Sequence, residues 1–98
     1  MTHITAAELK QRLETEDIFL LDVREPFEHE AYHIGGMLLP LDTVIANSSL
    51  IPKDKPVIVY CKKGIRSQIA IQRLEQKFGF RNLINLQGGM EGWAELES

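Results

Sequence analysis

The segment CKKGIRS carries the only cysteine of the chain, Cys61, followed by Lys62, Lys63, a glycine at 64, Ile65 and Arg66. A lone cysteine is commonly core filler, but a core thiol is not normally followed by charged stems that need water. These residue types suit a thiol held at a mouth and used as a nucleophile. An ordinary thiol, with a pKa of about 8.5, is about 3% ionised at neutral pH, and bringing such a group to about 7 takes about 2 kcal/mol of extra stabilisation of the anion. Backbone N–H groups converging in a tight loop that opens a helix supply part of this, and the helix dipole adds to it. Three neighbouring cations strengthen the same field. The loop is therefore expected to hold sulfur as an anion at Cys61 and to bind an anionic substrate through Lys62, Lys63, Gly64, Ile65 and Arg66. Arg66 is the better fork for a multi-oxygen anion, and Gly64 permits the bend. The lysines also read as a solvated turn.

Such a loop needs a strand to deliver the cysteine and a helix to receive it. VIVYC is a β-branched run after the turn residues of PKDKP, so it reads as a strand ending at Cys61. After the loop, Ala70, Leu74 and Phe78 recur every fourth residue against polar Gln72, Arg73, Gln76 and Lys77, and Gly79 stands where a helix stops. The rest alternates in the same way. Thr5 and Glu8 form a helix-start signature with Ile4 stapled onto Leu9, giving a helix from Ala6 to about Glu14 with Leu9 and Leu13 on its apolar stripe. IFLLDV, residues 18 to 23, reads as a strand buried on both faces. REPFEHEAYHIGG reads as a segment that holds a short helix, with Pro26 in its first turn and the Gly35-Gly36 pair ending the segment. MLLPL is a brief strand, LDTVIANSSL a short helix capped by Asp42, NLINL a strand, Gly88-Gly89 a turn and MEGWAEL a final helix. The pattern predicts an α/β fold with a small, mostly parallel sheet covered by helices on both faces. In such sheets ligands sit beyond the carboxyl ends of the strands, where Cys61 lies.

At 98 residues one core and one domain over residues 1–98 are expected. Apolar residues make up 44% and charged residues 26%, which fits an ordinary globular protein rather than a linker, repeat or low-complexity chain. A net charge of −3 and a pI near 5.6 argue against nucleic-acid or anionic-membrane partners, which require a basic face. No apolar run approaches the roughly 18 residues of a membrane span, and MTHITAAELK lacks the order of a secretory signal. A cytoplasmic location is expected. One cysteine cannot form an internal disulfide.

Four motifs together resemble a single rhodanese domain, from about Ile4 to Trp93: Asp22-Val23-Arg24-Glu25 after a strand, His33-Ile34 before a short one, Cys61 through Arg66 with Gly64, and Leu86-x-Gly88-Gly89 with Trp93. The resemblance implies the three-layer fold of that family and a sulfurtransferase. Cys61 would attack the outer sulfur of a donor such as thiosulfate, become a persulfide, and pass that sulfur to a nucleophilic acceptor such as cyanide, a thiol or a protein. The amides of residues 62 to 66 would stabilise the anions, with no metal or organic cofactor required. By the same resemblance Asp22 and Arg24 brace the floor of the site, with Arg24 pairing to Glu28, although the same residues read equally as a strand-end cap and a surface ion pair. His33 matches the family's histidine as a structural hydrogen-bonder rather than an acid or base, while His3 and His29 match nothing. Trp93 and Gly88-Gly89 read as packing. The chain departs from the family at Tyr32 and Gly35, where glycine and proline are frequent, and at His29, where an aromatic residue is usual, so the turn near the site is expected to differ.

Two other readings stay open. A cysteine-dependent phosphatase of related architecture would need one more residue between Cys61 and Arg66 and an aspartate as leaving-group acid. A sulfur carrier or regulatory module would keep the fold without turnover. With no second cysteine to resolve a persulfide, any sulfur held on Cys61 requires an outside acceptor.

Overall fold

The apolar runs at 18–23 and 57–60 lie side by side in a five-stranded sheet whose neighbouring strands all pair in parallel. The computed structural model describes residues 1–98. In chain order it contains β1 (Thr2–Ile4), α1 (Ala6–Thr15), β2 (Phe19–Asp22), α2 (Pro26–Ala31), β3 (Met37–Leu38), a 3₁₀ turn (Ser48–Leu50), β4 (Val57–Tyr60), α3 (Ile65–Phe78), β5 (Leu83–Leu86) and α4 (Gly89–Glu97). The strand order β1-β5-β4-β2-β3 places β4 at the centre. This is the three-layer α/β arrangement the sequence predicts.

Alternation along the central strand separates two cores. Val57, Val59 and Cys61 join Leu21, Leu74 and Leu83 on the α3 side, whereas Ile58 and Tyr60 join Leu9, Met90 and Trp93 on the side of α1 and α4. Both faces of the sheet are thus covered by a buried core. The caps follow the sequence closely. Thr5 Oγ1 accepts the Glu8 N–H at 3.1 Å while Glu8 Oε1 accepts the Thr5 N–H at 2.9 Å, closing a capping box on α1. Gly79 ends α3 in the left-handed region at φ +69°, its N–H donating to the Glu75 carbonyl at 3.0 Å.

Two expectations need correction, and one strand goes unanticipated. LDTVIANSSL forms consecutive turns and a 3₁₀ turn rather than a capped helix, and Asp42 caps nothing. Its β-branched residues disfavour a helix, and the side chains of Thr43 and Asn47 bond to the Pro40 and Thr43 carbonyls instead. Val44 and Ile51 still seal the α3-side core. Leu13 lies exposed, so the stripe of α1 reduces to Leu9. β1, three residues long and without a pattern of its own, forms the sheet edge against β5.

Candidate active site

The end of β4 and the start of α3 build a cup around sulfur. Gly64 occupies the N-cap of α3 at φ +98°, a left-handed conformation that opens to glycine without strain. This bend turns the chain so that Cys61 Sγ accepts the N–H of Gly64 at 3.1 Å and that of Ser67 at 3.3 Å, with Ser67 Oγ 3.4 Å away. Of the amides expected to face the sulfur only that of Gly64 bonds to Sγ itself, and the second comes from Ser67 on the first turn of α3. The helix N-terminus therefore points at the sulfur as an anion site should.

A second helix holds the loop from behind. The N–H groups of Met90 and Glu91, opening α4, donate to the carbonyls of Cys61 at 2.8 Å and Lys62 at 3.0 Å. Gly89 has to be glycine for this approach: a Cβ there would lie 2.4 Å from the Cys61 carbonyl oxygen. The Gly88-Gly89 turn thus does more than pack.

Cys61 is 1% exposed and sits on the floor of a cup of about 260 Å³ lined by Lys62, Lys63, Ile65 and Arg66. The thiol lies beneath the mouth rather than at it. Lys62 and Lys63 are exposed at the rim and make no ion pair. Arg66 lines the cup too, but its fork is taken: NH1 and NH2 donate to Glu28 Oε1 and Oε2 at 2.7 and 2.9 Å. Hydrogen bonding to Arg66 holds the Glu28 carboxyl far below the usual range, at about 2, and the same bonds raise the Arg66 guanidinium. Glu28 also accepts the Glu25 N–H at 3.0 Å, which fixes it on the first turn of α2. Beside the cup a wider cleft of about 680 Å³ opens between α2 and α4, with Phe27, Tyr32 and Met90 on its apolar walls and Lys62, Arg66 and Arg24 among its charges.

The pairing expected between Arg24 and Glu28 is not formed. Arg24 turns back to Asp22, two residues away, whose carboxylate accepts the Arg24 backbone N–H at 3.0 Å, Nε at 2.9 Å and NH2 at 2.8 Å. Burial works against the Arg24 charge, but the Asp22 bonds and charge outweigh it and raise the guanidinium further. Arg24 also donates to the Tyr32 carbonyl at 2.7 Å, tying β2 to the segment after α2. Tyr60 donates from its hydroxyl to the Gly35 carbonyl at 2.9 Å, and burial followed by the Asp22 charge pushes its phenol up. It therefore remains a neutral donor.

His33 does not reach the sulfur. It is exposed, accepts the Gly35 N–H at Nδ1, and stacks on His29 with ring centroids 3.9 Å apart. His29 is the histidine that meets Asp22, at 2.8 Å, so at the usual aromatic position it supplies both a flat ring and a polar contact. Sequence reasoning missed Glu28 as the partner of Arg66, Ser67 as a donor to sulfur, and Asn85, which accepts the Ser67 hydroxyl. Ser67 alone carried a readable signal, since it follows directly on the loop.

Comparison with known proteins agrees with this arrangement. The family description "Rhodanese-like domain" matches residues 5–96. A sulfurtransferase of Allochromatium vinosum is 40% identical over 96 residues, covering 96% of this chain and 89% of that protein. The thiosulfate sulfurtransferase GlpE of Coxiella burnetii is 37% identical over 94 residues, covering 95% and 84%. The crystal structure of a rhodanese-related protein from Thermoplasma volcanium superposes with a TM-score of 0.86 at 30% identity, covering 98% of this chain and 93% of that one. A cysteine loop backed by two helix N-termini at the end of a central parallel strand, matched over nearly the whole chain, is what this kinship looks like in three dimensions, and the protein belongs to the rhodanese-like domain family.

Proposed function

We propose that the protein is a sulfurtransferase that carries a sulfane sulfur on Cys61. The observation that supports this most is the placement of Sγ on the floor of a small cup, with two N–H donors aimed at it and two uncommitted lysines at the rim. Thiosulfate enters past Lys62 and Lys63. The Cys61 thiolate attacks its outer sulfur, a new S–S bond forms, and the old one breaks with its electron pair leaving on sulfite. The acceptor then attacks the outer sulfur of the persulfide and the Cys61 thiolate departs with the electron pair. Each step begins or ends with an anion at one spot, so donors fixed in advance serve all of them. Arg66 joins when an incoming anion competes with Glu28 for its fork.

The donor class is supported by relatives named sulfurtransferase and thiosulfate sulfurtransferase. The wider cleft along Phe27, Tyr32 and Met90 is larger than a small anion needs, which favours a thiol or protein acceptor over cyanide as the natural partner. A cytoplasmic setting, which keeps a lone thiol reduced, belongs to this reading.

The test is intact mass. Incubation with thiosulfate is expected to add one sulfur, and cyanide or a reductant to remove it. Cys61→Ser is expected to abolish both the gain and the turnover, and a Cys61→Ser protein that still transfers sulfur would sink the proposal.

A further inference from the structure

A hydrogen-bonded chain runs from the surface to the sulfur through residues that the transfer reaction does not consume. Parallel pairing of β1 with β5 sets His3 beside Asn85 in register, and strand alternation turns Asn85 to the face that carries Leu83, toward α3. Asn85 Nδ2 meets His3 Nδ1 at 3.1 Å, Asn85 Oδ1 accepts the Ser67 hydroxyl, and Ser67 Oγ lies 3.4 Å from Cys61 Sγ. Ser67 and Asn85 are 0% and 1% exposed, so Ser67 is sealed from water and Asn85 reaches only the base of the cleft at His3. His3 lies exposed at the other end, in a polar cleft of about 280 Å³ shared with Lys63, Gln68 and Gln87.

The direction of each bond in this chain is fixed by the next. With His3 neutral and accepting at Nδ1, Asn85 must present its NH2 to His3 and its oxygen to Ser67. The single proton of Ser67 is then committed to Asn85, and Ser67 offers Cys61 only a lone pair, which suits a thiol S–H. When His3 is protonated, Nδ1 becomes a donor and needs the amide oxygen. The Asn85 amide turns over, its NH2 donates to Ser67 Oγ, and the Ser67 proton is released to point at Sγ as a third donor beside the amides of Gly64 and Ser67.

We propose that His3 is a positioning residue that sets, through Asn85, which way the Ser67 hydroxyl faces, so that charge on His3 and a thiolate at Cys61 favour one another. This rests on the reading of Cys61 as the nucleophile. Because the coupling is a free energy between two sites, it is reciprocal: a thiolate at Cys61 also favours the charged ring at His3. The proton that Cys61 gives up leaves to solvent through the cup, and no covalent bond changes along the chain. The other charges in play are Lys63, which lines both the cleft and the cup, and Lys62 and Arg66 around the thiol. Arg66 carries Glu28 from α2 and feels Asp22 from β2. All of these act on wild type and variants alike.

The test uses the full chain as wild type, His3→Gln, Ser67→Ala and the double variant. A glutamine at position 3 can present either an oxygen or a nitrogen and carries no charge. Alkylation of Cys61 by iodoacetamide and the ultraviolet absorbance of the thiolate are followed from about pH 5 to about pH 9. NMR of the His3 ring covers the same range with Cys61 free and with Cys61 capped as a methyl disulfide. While the ring signal reports a protonated His3, the wild type is expected to alkylate about tenfold or more faster than His3→Gln, the scale of one added hydrogen bond to an anion, and this advantage shrinks as the ring becomes neutral. In the Ser67→Ala background the His3→Gln change has no effect, and capping Cys61 in the wild type displaces the pH dependence of the His3 ring signal. Coincident curves for wild type and His3→Gln at every pH would overturn the proposal, as would a His3 effect that survives in Ser67→Ala. Should Ser67→Ala not fold, the NMR on wild type decides, and a His3 titration indifferent to the cap overturns the coupling. Intact mass after thiosulfate separates this from the proposed function: sulfur gained without the coupling removes only the role of His3, and coupling without sulfur gain removes only the transfer reaction.

Discussion

Replacing Glu28 with glutamine keeps the shape of the side chain and removes the charge that occupies the Arg66 fork. The fall of the Glu28 carboxyl from its ordinary 4.5 to about 2 corresponds to about 3 kcal/mol between the ionised and protonated forms. The side chains of Arg66 and Glu28 are 34% and 16% exposed, so water screens part of this and about 1.5 kcal/mol is the expected loss of stability at neutral pH. The sign follows from the depressed folded value: the contribution is whole above the unfolded value of 4.5 and is lost as pH falls through about 2. A protonated Glu28 resembles glutamine, so wild type and Glu28→Gln should converge in acid. Urea unfolding measures this directly. A gap of about 1.5 kcal/mol is expected at pH 7, shrinking to less than half of that by about pH 3. Equal midpoints at pH 7, or a gap that does not close in acid, would refute the reasoning. Freed from its carboxylate, Arg66 should also lower the KM for thiosulfate, and a rise would mean that Glu28 aims the fork rather than competing for it.

Lys62→Met with Lys63→Met should raise the KM for thiosulfate about tenfold and flatten its dependence on salt, because the uncommitted charges at the rim are removed together; initial rates at two ionic strengths check this. Gly89→Ala should cost about 2–3 kcal/mol and most of the transfer activity, since its Cβ would meet the Cys61 carbonyl. Gly79→Ala, at φ +69° with nothing within 4 Å of the added Cβ, should cost only about 1 kcal/mol and leave activity alone. Thermal melts and steady-state rates compare the two. Arg24→Met should destabilise by about 3 kcal/mol or more, because the fully buried Asp22 keeps only His29 and the Arg24 backbone N–H as partners, and chemical denaturation measures the loss.

The parts of the molecule that the sequence discloses are those governed by neighbours along the chain. VIVY, the capping box of Thr5 and Glu8, and the stop at Gly79 are local physics, and from them the place of Cys61 at a strand end follows. The partner of Arg66 is not local. Glu28 lies 38 positions away and had a nearer suitor in Arg24, which the strand end instead turns onto Asp22. Asn85 and His3 are 82 positions apart, and only the register of β1 against β5 makes them neighbours. The segment from Leu41 to Leu50 departs for a different reason: its apolar spacing fits a helix, but its β-branched residues disfavour one, the Thr43 hydroxyl and the Asn47 amide bond to nearby carbonyls, and burial of Val44 is satisfied by turns.

The bonds from the Met90 and Glu91 amides to the Cys61 and Lys62 carbonyls reach further than their strength. In a trans peptide the C=O and N–H point in opposite directions, so anchoring those two oxygens backward obliges the N–H groups of Lys62 and Lys63 to face the other way. The last helix, which places no side chain on the sulfur, therefore governs the polarity of two peptide planes that do border it. Any loosening of the C-terminal end would relax those planes while the sheet stays intact, and reactivity would fade at temperatures where the protein still scores as folded.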